Sequence, residues 1–188
     1  MGKDEGVTGD NTIIFASDPM GTISKFNSDE NEKTYNYSAG TCYGEIDGSI
    51  AVYANHYGAS ALRAALQGME TSNFTTAEQA LMNATTVTTT DKNNNVTYTT
   101  TDKLYALAAD GLGQSYTTIK AGSTNQTVLA ISKYWNNNGE SFLLRSPCDT
   151  GSTHVLLANL GTFVGYTDFK SGFPVRPASV SMSSPCQM

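Results

Sequence analysis

Residues 142–178 read FLLRSPCDTGSTHVLLANLGTFVGYTDFKSGFPVRPA. Two apolar segments that contain proline, FLLRSP and FPVRPA, stand at the two ends of this stretch. Proline fixes φ and donates no backbone hydrogen bond, so we place Pro147, Pro174 and Pro177 in edge or terminal segments of a sheet. The residues between the two segments follow no clean period. We interpret the ends as framework and the middle as a displayed binding surface, because rigid scaffolds commonly carry binding residues on loops.

The middle of the stretch predicts a β-hairpin that turns near Gly161, with Val155 and Leu157 facing inward. The candidate ligand-binding residues are those left on the outer side or in loops, namely His154, Leu156, Asn159, Leu160, Thr162, Tyr166, Asp168, Phe169 and Lys170. Aromatic and short polar side chains together suit protein recognition. We therefore expect that changing Tyr166 and Phe169 to alanine abolishes ligand capture and leaves the melting temperature nearly unchanged. The alternative is an ordinary hairpin whose outer residues bind nothing.

Arg145 and Arg176 stand inside the two framework segments. They could contact a ligand, but a buried charge is normally paired. We expect internal hydrogen bonds or a carboxylate to satisfy both guanidinium groups, which makes these residues structural.

The composition indicates one β-rich domain. A chain of 188 residues with 39% hydrophobic content is long enough for a single core. Only 15% of the residues are charged, and Thr, Asn, Ser and Gly are abundant instead, as in proteins rich in strands and loops. Residues 1–11 lack periodicity and are expected to form a disordered leader before a single domain at residues 12–188.

The charge of the chain argues against several partners. The net charge is −6 and only 11 residues are Lys or Arg, whereas binding to nucleic acid or to an anionic membrane requires clustered basic residues. No window approaches the roughly 18 apolar residues of a membrane span, so the chain is not expected to cross a membrane. The acidic first ten residues do not resemble a signal peptide.

Two short helices are predicted, near residues 60–68 and 75–84. Ser60 is a suitable N-cap for the first helix, and Gly68 is expected to end it in the left-handed conformation. Thr75 and Glu78 have the spacing of a capping box at the start of the second.

A hairpin should follow the helices, because the β-branched runs TTVTTT and VTYTTT flank the turn-forming DKNNN. Both of its faces are nearly all Thr, so we expect it to be solvated and peripheral. Residues 103–107 are predicted to form a buried strand.

The sequence offers little support for a metal or another cofactor. The three cysteines are Cys42, Cys148 and Cys186, so at least one is unpaired. A bridge between Cys148 and Cys186 could tie down the C-terminal tail, or both could be buried thiols. No CxxC motif exists and the two histidines, His56 and His154, are distant in sequence, so no zinc site is expected.

Several blocks in a fixed order resemble a known group of domains. These blocks are YGASALRAALQG with FTTAEQALM, then TTDKLYALAAD, then YW, FLLRSPCDTG, ANLGTF and GFPVRPA, and they cover roughly residues 57–178. The order resembles that of uncharacterised microbial, mostly surface-associated domains with the C-type lectin fold, close to the branch of the formylglycine-generating enzymes. The resemblance implies an α+β fold in which short helices pack on a twisted antiparallel sheet. It also implies an extracellular location or one at a cell or virion surface.

The resemblance implies binding without catalysis. The same branch includes variable proteins of diversity-generating retroelements, which display a mutagenised C-terminal segment, and residues 149–172 occupy that place here. The expected function is that of a receptor or adhesin for a protein or another macromolecule, with no enzymatic activity. The alternatives are an oxidase related to the formylglycine-generating enzymes and a structural module of a larger surface protein.

Neither calcium nor copper is expected from the resemblance. Sugar-binding lectins surround calcium with tripeptides rich in carboxylate and amide oxygens, and Trp135-Asn136-Asn137 lacks the carboxylate of one of them. The related oxidases bind copper through two closely spaced cysteines, whereas Cys148 and Cys186 are far apart in sequence.

Overall fold

A computed structural model describes residues 7, 13–16, 18–27, 33–36, 41–42, 50–91, 96–108, 141–148, 153–159 and 163–181. Two α-helices are present in these ranges, α1 (Ala61–Ser72) and α2 (Thr76–Ala80), and a 3-10 helix, Tyr57–Ala59, precedes them. The strands are β1 (Ile13–Phe15), β2 (Gly21–Ile23), β3 (Lys33–Asn36), β4 (Thr41–Cys42), β5 (Ile50–Val52), β6 (Thr85–Asp91), β7 (Val96–Asp102), β8 (Phe142–Pro147), β9 (His154–Asn159), β10 (Phe163–Asp168), β11 (Phe173–Val175) and β12 (Ala178–Val180).

The described strands pair in antiparallel fashion throughout. Strands β10, β9 and β8 form one three-stranded sheet with β9 in the centre, and β4, β3 and β5 form a second. The remaining strands pair as β1 with β12, β2 with β11 and β6 with β7. Short helices with antiparallel sheets make this an α+β fold, as predicted. None of the helices in the described ranges has the length and apolar character needed to span a membrane.

Local sequence signals set the starts of both α-helices. The Ser60 hydroxyl accepts a hydrogen bond from the Arg63 backbone N–H at 3.0 Å, which confirms the predicted N-cap. The predicted capping box is also present, since the Thr75 N–H donates to Glu78 Oε2 at 2.8 Å and the Glu78 N–H donates back to the Thr75 hydroxyl at 3.3 Å. These short-range contacts need no tertiary support, which is why the sequence predicted them.

The predicted end of α1 at Gly68 is wrong. The helix continues to Ser72, and the N–H of Asn73 bonds to the Met69 carbonyl. A glycine inside a helix costs only about 1 kcal/mol. Met69, one residue later, packs against a buried apolar cluster and favours continuation of the helix.

The sheet of β8 and β9 is covered on both faces. Phe142, Leu144 and Leu156 belong to one apolar cluster, which also contains residues of β1, β6 and β12. Leu143 and Val155 project to the opposite face and belong to a second cluster, which also contains residues of α1, β2 and β11. All six residues of β8 are buried. Burial on both faces explains why the β8 segment is apolar without alternation.

The hairpin of β6 and β7 forms as predicted but is not peripheral. Val87 on one of its faces is buried in the first cluster, and Tyr98, paired with Thr89 across the hairpin, is buried as well. Val7, which falls within the predicted leader, forms an antiparallel bridge with Val87 and packs against the same cluster. Because side chains alternate between the two faces of a strand, every second Thr faces solvent. The Thr-rich pattern indicated this solvated face, but it did not indicate that the other face is buried.

Two further expectations are modified. Residues 104–107 are buried and Lys103 is partly exposed, but the segment forms no strand, because only Tyr105 among these residues makes a bridge, to Ala178. The Cys148 side chain is buried in the first cluster, and Cys186 lies outside the described residues.

Candidate functional site

The predicted hairpin of the C-terminal stretch is confirmed. Strands β9 and β10 pair from Phe163 opposite Asn159 to Asp168 opposite His154. Asn159 and Tyr166 occupy paired strand positions, while Leu160 and Thr162 lie outside the described residues.

Two of the predicted ligand-binding residues belong to the core instead. Leu156 is 7% exposed and packs in the first apolar cluster, and Phe169 is 2% exposed and packs in the second. The prediction for Leu156 assumed that one face of β9 is open to solvent, whereas both of its faces are covered. Phe169 was expected to lie on the outer side or in a loop because it follows the strand, but its side chain is buried in the second cluster.

Phe169 fixes the end of the hairpin through its backbone as well. Its N–H donates to the Thr153 carbonyl at 2.9 Å, and its carbonyl accepts from the N–H of Phe26 at 2.8 Å. The side chains of Phe26 and Phe169 belong to the same buried cluster. Phe169 therefore links the C-terminal hairpin to the segment after β2.

Four of the accessible polar residues in the described part of this region lie close to the end of the β9–β10 hairpin, and we call Thr153, His154, Asp168 and Lys170 the hairpin end. Asp168 and Lys170 are exposed, and Thr153 and His154 are partly exposed. Asp168 lies opposite His154 across the hairpin. Asp168 Oδ1 accepts a hydrogen bond from the Lys170 N–H at 2.8 Å, and Lys170 Nζ lies 5.6 Å from the centre of the Phe169 ring. The hairpin end thus offers a carboxylate, an ammonium group, an imidazole and a hydroxyl on a rigid base.

A turn at residues 54–56 supports the hairpin end through a side-chain hydrogen bond. Asn55 Nδ2 donates to the His154 carbonyl at 3.2 Å, and the same carbonyl accepts from the Cys148 N–H at 3.1 Å. Asn27 Nδ2 donates to the Ala54 carbonyl at 3.3 Å. Sequence reasoning missed the supporting role of Asn55 and Asn27, because the residues involved are far apart in sequence and no local pattern links them.

A second group of polar residues is buried between α1 and the β6–β7 hairpin. Arg63 Nη2 lies 2.9 Å from Asp102 Oδ1, and Arg63 Nε donates to both carboxylate oxygens at 3.0 and 3.1 Å. Gln67 Nε2 donates to the same carboxylate at 3.3 Å. The ion pair joins the first turn of the helix to the last residue of β7. We call Arg63, Asp102, His56, Tyr98 and Asp91 the buried polar cluster.

His56 and Tyr98 provide a contact between the start of the 3-10 helix and β7. Their rings stack with centroids 4.3 Å apart and an interplanar angle of 15°. His56 Nδ1 accepts from the Ala59 N–H at 3.1 Å, and the Tyr98 hydroxyl accepts from the Gly58 N–H at 3.0 Å. Both residues therefore cap the 3-10 helix while they pack on each other.

Electrostatics keep His56 uncharged near neutral pH. The pKa of His56 is lowered from 6.5 to about 4, mainly because the ring is buried; Asp91 opposes this shift and Arg63 adds to it. Burial also raises the pKa of the Tyr57 hydroxyl, and the Asp102 carboxylate adds to that effect. Neutral His56 and neutral Tyr57 are the forms that suit their buried positions.

The two arginines of the framework segments are structural, as predicted. Arg145 is fully buried, its Nη1 donates to the Ala106 carbonyl at 2.9 Å, and its guanidinium carbon lies 5.9 Å from the centre of the Tyr105 ring. Arg176 is buried and lies 5.8 Å from the centre of the Phe142 ring. Both guanidinium groups therefore lie against protein groups.

Within the described part of the chain, no three His, Cys, Asp or Glu side chains come close enough to hold a metal ion. The residues of the buried polar cluster have protein partners and are shielded from solvent. They can position strands and helices, whereas the hairpin end can contact a molecule in solution.

The chain matches the model of a protein family over residues 10–180, a span that includes both the hairpin end and the buried polar cluster. The family is described as a domain of unknown function, DUF6273. The chain belongs to this family. Comparison with curated proteins gave no match, and neither did comparison with solved structures. The assignment of the DUF6273 chain to the C-type lectin fold stays a prediction.

Proposed function

We propose that the chain is a non-enzymatic binding protein of the receptor or adhesin type, with a C-type-lectin-like scaffold that displays its C-terminal hairpin to a protein or another macromolecule. One observation carries the proposal: a single stretch combines strand β8, in which all six residues are buried, with Asp168 and Lys170, which are exposed at the hairpin end. A binding surface needs this division, because its contact residues must be accessible while its backbone stays fixed.

The backbone contacts of Phe169 support the proposal. Its N–H bonds to Thr153 within the hairpin end, its carbonyl ties the hairpin end to Phe26, and its ring is inside the core. Residues on either side of this anchor can change with little effect on folding, because exposed substitutions usually alter stability by within about 0.5 kcal/mol. Contact chemistry and stability are therefore separable at the hairpin end.

The side chains of the hairpin end favour polar contacts. A carboxylate, an ammonium group and a hydroxyl can each bond directly to backbone or side-chain groups of a partner, and direct hydrogen bonds recur about once per 100–200 Å² of a protein interface. Charged residues at the rim of an interface also steer the approach of a partner. A location outside the cell or at a cell or virion surface fits such a role.

The experiment is a binding measurement with paired variants of the full chain. Biolayer interferometry would use immobilised fibronectin, laminin, mucin and a panel of glycans as probes. We expect one of these probes to bind, and Asp168→Ala with Lys170→Ala to weaken that binding by about tenfold or more, which corresponds to about 1.4 kcal/mol. The matched control is Thr86→Ala with Thr99→Ala, two exposed residues on the β6–β7 hairpin. Equal binding by both double variants would show that the hairpin end is not the contact surface.

The proposal extends to diversification by a retroelement. A near-copy of the codons for residues 149–172, differing only at adenines and lying beside a reverse transcriptase gene, would establish it. In a set of such variants we expect Asp168 and Lys170 to change, while Leu156 and Phe169 stay apolar because they are buried. Variants with charged residues at Leu156 or Phe169 that still fold would contradict the division between frame and surface. Copper titration of the reduced protein tests the oxidase alternative, which requires stoichiometric binding.

A further inference from the structure

The turn at residues 54–56 connects the hairpin end to the buried polar cluster. Asn55 bonds to the His154 carbonyl at 3.2 Å, and the next residue, His56, stacks on Tyr98 of β7. The two contacts are adjacent in the chain, so a change at His56 acts on Asn55 through a single peptide bond. No other segment is needed to carry the effect.

The hydrogen bond at His56 Nδ1 requires a neutral imidazole. Nδ1 accepts a hydrogen bond from the Ala59 N–H at 3.1 Å, whereas an imidazolium ion carries N–H groups at both ring nitrogens and can accept at neither. Protonation therefore converts the cap of the 3-10 helix into a clash between two donors. The side chain must move, or the cap must open.

The charges around His56 do not compensate fully for a proton. On β6, Asp91 favours the imidazolium ion, while Arg63 on α1 disfavours it. On β7, the Asp102 carboxylate is held by Arg63 at 2.9 Å, and Tyr98 presents its ring. Tyr57 of the 3-10 helix keeps its proton because burial raises its pKa. Burial of the ring outweighs the attraction of Asp91, so the proton enters only in acid.

We propose that uptake of a proton by His56 loosens the turn at residues 54–56 and thereby releases the hairpin end, so that a ligand bound there is dropped in acid. The effect on ligand rests on the function proposed above, but the effect on the turn does not. The His154 carbonyl would lose its bond from Asn55 and keep the one from Cys148. The hairpin end therefore becomes looser without unfolding of strand β9.

Two measurements on the full chain without ligand test the proposal. The first is an NMR titration of the imidazole signals, which are easily assigned because the chain has 2 histidines and His154→Gln removes one set. The second is hydrogen exchange between about pH 7 and about pH 3, corrected for intrinsic rates. We expect His56 to titrate near pH 4, and residues 54–59 and 153–156 to lose protection together by about tenfold or more at the same pH.

Two variants separate the steps. Asparagine at position 56 can accept the Ala59 N–H bond and does not titrate, so His56→Asn should keep both segments protected over this pH range. Asn55→Ala should lower the protection of residues 153–156 at every pH and leave the acid-dependent loss at residues 56–59 in place.

Three results would overturn the proposal. These are titration of His56 at its ordinary pKa, identical acid profiles for the wild type and His56→Asn, and loss of protection at residues 54–59 alone. If His56→Asn does not fold, the wild type alone provides the test. The pH midpoint of its hydrogen exchange must then coincide with the pH midpoint of the His56 imidazole titration. Absence of ligand binding by the wild type at neutral pH would refute the proposed function and leave these exchange results unaffected.

Discussion

Replacement of Phe169 by alanine should destabilise the protein strongly, although its neighbours Asp168 and Lys170 are exposed. The Phe169 side chain is 2% exposed and lies in the cluster that contains Phe26 and Leu66. Truncation of a buried Phe to Ala removes its transfer free energy and leaves a cavity, which together cost about 3–5 kcal/mol. At about 2–4 °C per kcal/mol for a domain of this size, the melting temperature should fall by about 6–20 °C. The sequence had led to the opposite expectation, that replacing Tyr166 and Phe169 by alanine leaves the melting temperature nearly unchanged.

Circular dichroism with thermal and urea unfolding would measure the effect. Lys170→Ala is the matched control. Lys170 directly follows Phe169 and is exposed, so its replacement should shift the melting temperature by about 2 °C or less. Phe169→Leu should fall between the two, since it keeps most of the apolar volume. If Phe169→Ala and Lys170→Ala gave equal small shifts, Phe169 would not be an anchor of the hairpin end. The division between frame and surface would then fail.

Three further predictions concern the buried polar cluster and the hairpin beside it. Arg63→Met should lower the free energy of unfolding by about 3–5 kcal/mol, because it leaves the Asp102 carboxylate buried without its charged partner. Adding Asp102→Leu should recover much of this loss, as measured by urea unfolding. Losses that simply add in the double variant would contradict the prediction. Thr89→Val should stabilise by about 1 kcal/mol because the Thr89 hydroxyl is buried and has no hydrogen-bond partner among the described residues. Thr85→Val should instead destabilise, because the Thr85 hydroxyl donates to a carbonyl at 3.0 Å. The free energy of unfolding should fall by up to about 3 kcal/mol as the pH drops from 6.5 to about 4, because His56 takes up its proton at a higher pH in the unfolded chain than in the folded one. His56→Asn should remove this dependence of stability on pH.

The features that the sequence predicted correctly depend on neighbours in the chain. Ser60 and the Thr75–Glu78 pair cap helices through contacts three residues apart. The two hairpins follow from alternation around turn residues, and the pairing of β9 with β10 was predicted on the same grounds. Arg145 was recognised as structural because a charge within an apolar segment must find an internal partner.

The features that the sequence did not predict depend on contacts between distant segments. The alternation of side chains in β9 predicted which residues share a face. It could not predict that residues of β1, β6 and β12 cover the face that contains Leu156. Phe169 follows a strand in a polar segment, and it is part of the core because it packs in a cluster with residues of distant segments, such as Phe26 and Leu66. The ion pair of Arg63 with Asp102 joins residues 39 positions apart, so the charges could not be matched from their spacing.

The charged residues in the described part of the chain include two classes with different roles. Arg63, Asp102 and Arg145 are buried against protein partners, and their loss leaves an opposite charge or a carbonyl without its partner. Asp168 and Lys170 are exposed, so their loss costs little stability. A residue in the first class cannot meet a ligand without breaking the contact that holds the fold, whereas one in the second can bind or change at no such cost. The proposed binding function therefore has to rest on residues of the second class, which contribute little to folding.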